Sequence, residues 1–185
     1  QSPTEVSQTT DLLIDSQGVL WAATRWGLYT YDPKRELLDR IYLQGDTDID
    51  FNQGTYNRIV EIAAGDMLIG SAYGLIRLDA KNKTAYRIPA TGDEKGPISN
   101  NVNDMFVAND GTVWMGGDGG ISRFYPSDNR FVHVVPFQEN PKATKENAVQ
   151  TIEMDAQGNI WAGASKGLYR LNPETNAIKR YLAEP

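Results

Sequence analysis

The chain has 185 residues, 40% of them hydrophobic, with 17 Gly, 9 Pro, no Cys and one His, long enough for a domain with a real core and unlike a disordered or fibrous protein. A net charge of −6 and a pI near 4.8 argue against nucleic acid, whose phosphates need a basic face, and against an anionic membrane surface. No apolar run approaches the roughly 20 residues that cross a bilayer, the lack of Cys excludes disulfides, thiol nucleophiles and Cys-bound metals, and the lone His133 removes most acid–base and metal-site designs.

The start, Gln1 to Glu5, is polar and has neither an initiator Met nor a signal-peptide core, so the chain is expected to be soluble and cut from a longer polypeptide. A repeating unit follows. Leu12-Leu13-Ile14 predicts a first strand, DSQGVLW (15–21) a turn into a second, and Leu28-Tyr29-Thr30-Tyr31, after Gly27, a third with period-two alternation. Asp32-Pro33-Lys34 then turns the chain into a weaker fourth strand holding Leu38 and Ile41.

The second unit runs through Ile59-Val60, IAAGDML (62–68), Gly74, Leu75 to Leu78, the turn Asp79 to Asn82, and Tyr86 with Ile88. The third has Met105 to Val107, ANDGTVW (108–114), Gly120, Ile121 to Phe124, Pro126 to Asn129, and Phe131 with Val134. The fourth has Val149 and Ile152, DAQGNIW (155–161), Gly167, Leu168 to Leu171, Asn172 to Glu174, and Ile178 with Tyr181.

Positions 21, 68, 114 and 161 are therefore spaced 47, 46 and 47. Glycines stand three before and six after each of them, in two full columns where turns would forbid a side chain. Four short strands per unit and no helical period predict an all-β fold, a β-propeller of four-stranded antiparallel blades at approximately 8–44, 55–89, 100–135 and 147–183. Trp21, Trp114 and Trp161 are expected in the cores between blades, with Leu68 making a weaker contact at the same place. Four blades with no spare strand at either end are expected to be part of a larger ring, leaving two open faces prone to self-association.

The pattern D-x-x-G-x-x-W, a glycine six residues on, then alternating apolar residues ending in Asp or Asn, resembles the two-component regulator propeller repeat. It is clearest in DSQGVLWAATRWGLYTYD (15–32) and DAQGNIWAGASKGLYRLN (155–172), with departures at Ile62, Ala108 and Leu68. The resemblance implies rings of about seven blades and a periplasmic or otherwise extracytoplasmic sensory region of a bacterial histidine kinase or diguanylate cyclase. No phosphoacceptor-histidine block or cyclase loop is present; GGDGG (116–120) is read as a tight turn.

Propellers bind at one mouth of the channel, where the turns between second and third strands meet the segments leading into the innermost strands. The turns offer Arg25, Trp26, Tyr73, Asp118, Ser165 and Lys166; the leading segments offer Asn57, Asn101, Asn103 and Gln150. Aromatic rings with amides and mixed charge suit a small polar ligand such as a carbohydrate, with no cofactor and no catalytic residue. An enzyme is the alternative. Sialidase-type Asp-boxes place Asp two residues before the turn Gly, whereas Asp15 and Asp155 stand three before, and His133 falls on an outermost strand, where exposure at the sheet edge is expected. A scaffold without ligand is a further alternative. Asp46, Asp48 and Asp50 have a spacing that suits a hard cation, but Phe51 and Asn57 stand where a calcium loop needs Gly and Glu.

Overall fold

The two glycine columns set the fold. Gly18, Gly65, Gly111 and Gly158 have φ of 81, 76, 78 and 82°, and Gly27, Gly74, Gly120 and Gly167 have φ of 145, 119, 143 and 129°, the region a Cβ disfavours. The first column turns strand one into strand two; the second opens strand three.

The computed structural model describes residues 8–45, 54–135 and 145–182, and every regular element among them is a strand. Blade 1 is β1 (Thr9–Ile14), β2 (Leu20–Thr24), β3 (Gly27–Asp32) and β4 (Leu37–Ile41), and the short β5 (Gln44–Gly45) follows it. Blade 2 is β6 (Tyr56–Ala63), β7 (Asp66–Ser71), β8 (Gly74–Asp79) and β9 (Thr84–Ile88). Blade 3 is β10 (Val102–Val107), β11 (Val113–Gly117), β12 (Gly120–Tyr125) and β13 (Arg130–Val134). Blade 4 is β14 (Val149–Met154), β15 (Ile160–Ala164), β16 (Gly167–Leu171) and β17 (Ile178–Tyr181). Each blade is a four-stranded antiparallel meander in sequence order, and β5 adds a parallel strand to the outer edge of blade 2 at β9. That linker covers backbone groups that an edge strand would otherwise leave open.

The innermost strands pack in succession, β1 on β6, β6 on β10 and β10 on β14. Three apolar cores fill the seams. Trp21, Leu28 and Ile41 meet Ile59, Ile76 and Leu78 in the first. Leu68 and Leu75 meet Met105, Phe124 and Phe131 in the second. Trp114 and Ile121 meet Ile152, Tyr169 and Leu171 in the third. Leu68 is fully buried, so the smaller side chain still fills its place. Among the described residues no core joins blade 4 to blade 1. Four blades with three seams make an open arc, part of a larger ring.

This corrects two expectations. Trp21 and Trp114 are buried between blades, but Trp161 is only half-buried: it lies on the free face of blade 4, its ring 5.3 Å from that of Tyr181, because the arc stops there. His133 is on the outermost strand but is not a free edge residue. The linker into blade 3 folds over it, with His133 Nε2 2.7 Å from the Asp93 carbonyl, Nδ1 3.0 Å from Ser122 Oγ, and Phe131 N–H donating to the Glu94 carbonyl at 2.8 Å.

Candidate binding mouth

The turns between second and third strands are tied to the segments ahead of the innermost strands in the same way in every blade. The backbone N–H groups of Arg25, Ala72, Asp118 and Ser165 donate to the carbonyls of Gln8, Thr55, Asn101 and Ala148 at 3.3, 3.3, 3.3 and 2.9 Å. Both groups of candidate loops therefore share one mouth, as the sequence suggests.

Within the mouth, blades 1 and 2 carry the aromatics. Buried Thr24 donates its hydroxyl to the Gly27 carbonyl at 2.8 Å and accepts from Trp26 N–H at 3.0 Å; Ser71, also buried, does the same with Gly74 and Tyr73. Arg40 Nη2 donates to the Trp26 carbonyl at 2.8 Å. The backbone is thus fixed while the rings stand in solvent, Trp26 61% and Tyr73 48% exposed. Tyr42, exposed with the Arg40 guanidinium 5.4 Å from its ring, extends the same rim. The sequence reading missed Tyr42; its signal is that it follows β4, whose last residue Ile41 pairs with Leu28 at the turn. Arg25, Ser165 and Lys166 are exposed there as well, and Asp118 accepts from the Asn101 amide at 3.3 Å.

The remaining candidates do a different job. Each innermost strand carries a β-bulge after its first residue, between Thr9 and Asp11, Tyr56 and Arg58, Val102 and Asp104, and Val149 and Thr151. The extra residue is Thr10, Asn57, Asn103 or Gln150, re-aimed by the bulge. Thr10 Oγ1, Asn57 Nδ2 and Asn103 Nδ2 donate across the seam to the carbonyls of Tyr56, Val102 and Val149 at 2.6, 2.8 and 2.8 Å. These groups clasp one blade to the next. Gln150, in the last blade, is exposed.

The next column, Asp11, Arg58, Asp104 and Thr151, was not singled out from sequence. Asp11 and Asp104 accept the backbone N–H of Ile59 and Ile152, each at 2.9 Å, and Thr151 Oγ1 donates to Asp104 at 2.9 Å. Arg58 pairs with Asp11 at 3.0 Å and with Asp104 at 3.1 Å, so one guanidinium ties three innermost strands. The signal was the same spacing of 47, 46 and 47, one residue past the clasps.

A hollow of about 1030 Å³ lies at the opposite rim between blades 1 and 2, beside Trp21. It opens because Thr30 pairs with Trp21 where Arg123 and Arg170 hold their guanidiniums 4.9 and 6.0 Å from the rings of Trp114 and Trp161. Its carboxylates at Asp15, Asp66 and Asp79 are bound within their own blades, to Trp21, Arg77 and Asn82. At the mouth, by contrast, the side chains of Trp26 and Tyr73 stand exposed.

The Asp93 carbonyl fixes the proton of a neutral His133 ring on Nε2, which leaves Nδ1 to accept from the Ser122 hydroxyl; Ser122 is buried and also accepts from Ile98 N–H at 2.9 Å, so the pair holds the linker against blade 3. Asp46, Asp48 and Asp50 lie outside the described residues. Among the described residues no group of three or more acidic or histidine side chains is placed to hold a metal ion.

Residues 96–119 match the family model of the two component regulator propeller. The propeller repeat thus identified spans the linker into blade 3, β10, β11 and the following turn, although Ala108 stands there in place of the Asp of blades 1 and 4. Among solved structures, the chain is similar to the extracellular domain of the one component system BT4673 from B. thetaiotaomicron, with 19% identity over 96% of this chain and 24% of that one, TM-score 0.78. It is also similar to the extracellular domain of the hybrid two component system BT3049 from B. thetaiotaomicron, with 24% identity over 97% and 24% of the two chains, TM-score 0.73. Virginiamycin B lyase from Staphylococcus aureus shares 14% identity over 97% of this chain and 57% of that one, TM-score 0.66. These likenesses establish the propeller fold. The chain spans about a quarter of the length of the first two. No curated protein matches it.

Proposed function

We propose that this chain is a non-catalytic stretch of the sensory propeller of a bacterial signalling protein, lying outside the cytoplasm, and that its mouth binds a small polar ligand, a carbohydrate by its chemistry. The sensory and extracytoplasmic part of the reading is supported by the propeller repeat at 96–119 and by the likeness to extracellular domains of one component and hybrid two component systems. The ligand-binding part is supported by one observation above all, the exposure of Trp26 and Tyr73 on turns whose backbones are fixed by buried hydroxyls. Rigid aromatic faces beside amides and guanidiniums stack on sugar rings and bond their hydroxyls at little ordering cost.

The test is a thermal-shift screen of neutral and acidic oligosaccharides against the purified chain. Saccharides that raise its melting temperature are expected to lose about 10-fold in affinity with Trp26→Ala, or about 1.4 kcal/mol, while the unliganded melting temperature stays put because the ring is exposed. Binding that is indifferent to Trp26→Ala and Tyr73→Ala, or no binding at millimolar saccharide, defeats the proposed site.

A further inference from the structure

The two rims of the blades differ in charge. Asp15, Asp66, Asp110 and Asp155 stand at the first turns of the four blades, with no Lys or Arg beside them. At the mouth the balance reverses. The turns between second and third strands carry Arg25 and Lys166 against Asp118, which is held by the Asn101 amide, and Lys145 and Glu146, leading into blade 4, offset each other. Beside these turns the outermost strands carry a column of Arg40, Arg87, His133 and Arg180, spaced 47, 46 and 47. Arg40 donates to the Trp26 carbonyl as described, Arg180 Nε to the Lys166 carbonyl at 2.6 Å, and Arg87 Nη2 to the Asn100 side-chain oxygen at 3.0 Å. Neutral partners leave the charge of Arg87 and Arg180 uncompensated. Among the described residues, the ion pairs of Arg35, Arg58, Arg77 and Arg123 use carboxylates of the opposite rim, the outermost strand of blade 1 or the innermost strands, and no carboxylate pairs with Arg25, Arg87, Lys166 or Arg180. In a chain of net charge −6, positive charge thus collects at the mouth.

We propose that the ligand of the mouth is an acidic saccharide, one whose sugar rings carry carboxylates of the uronic acid kind. The inference rests on the mouth being a saccharide site and adds the charge of the saccharide. Trp26 offers a flat apolar face to a sugar ring. Arg25, the preceding residue on the same fixed turn, is exposed and presents a planar fork of N–H donors that matches a carboxylate. Lys166 places a second exposed cation on the turn of blade 4, so a saccharide of several acidic rings meets positive charge at more than one blade. A neutral saccharide gains nothing from these charges. An anionic one is drawn to them and is repelled by the carboxylates of the opposite rim, so charge alone tells it which rim to enter.

The test is calorimetric titration of the whole chain with oligomers of galacturonate, glucuronate and mannuronate, each beside the same oligomer after its carboxyls are reduced to alcohols. At least one acidic oligomer is expected to bind about 10-fold more tightly than its reduced form at low ionic strength, and to lose that advantage in roughly 0.5 M salt. Arg25→Gln is expected to remove most of the advantage without moving the melting temperature, because the side chain is exposed. Lys34→Gln, exposed at the opposite rim, is expected to leave the advantage intact. Acidic and reduced oligomers that bind equally, both weakened by Trp26→Ala, would overturn the acidic ligand and leave the saccharide site standing. Binding of neither form would sink both readings. Equal losses with Lys34→Gln and Arg25→Gln would show that net charge acts rather than the mouth, and would overturn the proposal.

Discussion

Blades 1 and 4 pin their first turn to an indole, whereas blades 2 and 3 pin it to a guanidinium. Asp15 accepts the N–H groups of Gln17 and Val19 at 2.9 and 2.8 Å and the Trp21 indole at 2.8 Å; Asp155 does the same with Gln157, Asn159 and Trp161 at 3.0, 2.8 and 2.8 Å. In blade 2, with Ile62 and Leu68 at those places, Arg77 makes a two-pronged pair with Asp66 at 2.9 and 2.6 Å. In blade 3 Asp110 holds Thr112 and Arg123, and the Arg123 guanidinium lies over Trp114. The repeat therefore demands a fixed turn, and either of two chemistries supplies it. The indole version stores more stability where it is buried, since a buried donor stripped of its acceptor is costly, while a partly exposed ion pair is screened by water and salt.

The largest effect separates the two indole blades from each other. Trp21→Ala is expected to cost about 3–5 kcal/mol of unfolding free energy because its ring is buried in a seam. Trp161→Ala on the free face is expected to cost about 1 kcal/mol when both are followed by urea unfolding. Equal losses would mean that blade 4 is not an open end.

Next, Asp15→Ala strands the buried Trp21 N–H and is expected to cost about 1–3 kcal/mol. Arg77→Ala in blade 2 is expected to cost about 0.5–1 kcal/mol, shrinking in high salt. Reversed magnitudes in chemical denaturation would break the comparison.

The smallest effect is in pH. Donation by the Trp161 indole, aided by Asn159 and Gln157, holds the Asp155 carboxyl at about 2 against an ordinary 3.8. Burial pushes the Asp15 carboxyl up, but the Trp21 indole and the N–H groups of Val19, Gln17 and Gly18 outweigh it and hold it low. A depressed carboxyl contributes stability that is complete above its unfolded value and is lost as pH falls through the folded one. The melting temperature is therefore expected to be level above about pH 5 and to drop between about 4 and 2. Trp161→Phe keeps the ring and deletes the donor, so Asp155 is expected to move up toward its ordinary value in an NMR titration, with Asp110 in blade 3 unmoved.

Much of this was legible in the sequence because the repeat speaks through short-range demands. A glycine at positive φ, an Asp capping its own turn and a period-two strand are each decided within a few residues, so columns of them revealed the blades. The shared mouth followed from the same logic, since each turn sits beside its own blade's first strand. Asn57 and Asn103 were harder: their partners lie 45 and 46 residues on, and only the bulge directs their amides to a neighbouring backbone rather than into the mouth. Trp161 carries the same local pattern as Trp21, and nothing local tells whether a further blade lies against it. His133 was misjudged for a related reason, since the linker covering it comes from 40 residues away.

The bulge clasps have a mechanical consequence. Each reaches one blade ahead and no further, so a load applied to the chain ends should be resisted seam by seam, and the arc should extend in discrete steps of roughly 160 Å, the contour length of one repeat. Arg58 and Asp104 each reach across two seams, which makes the middle of the arc the last part to yield.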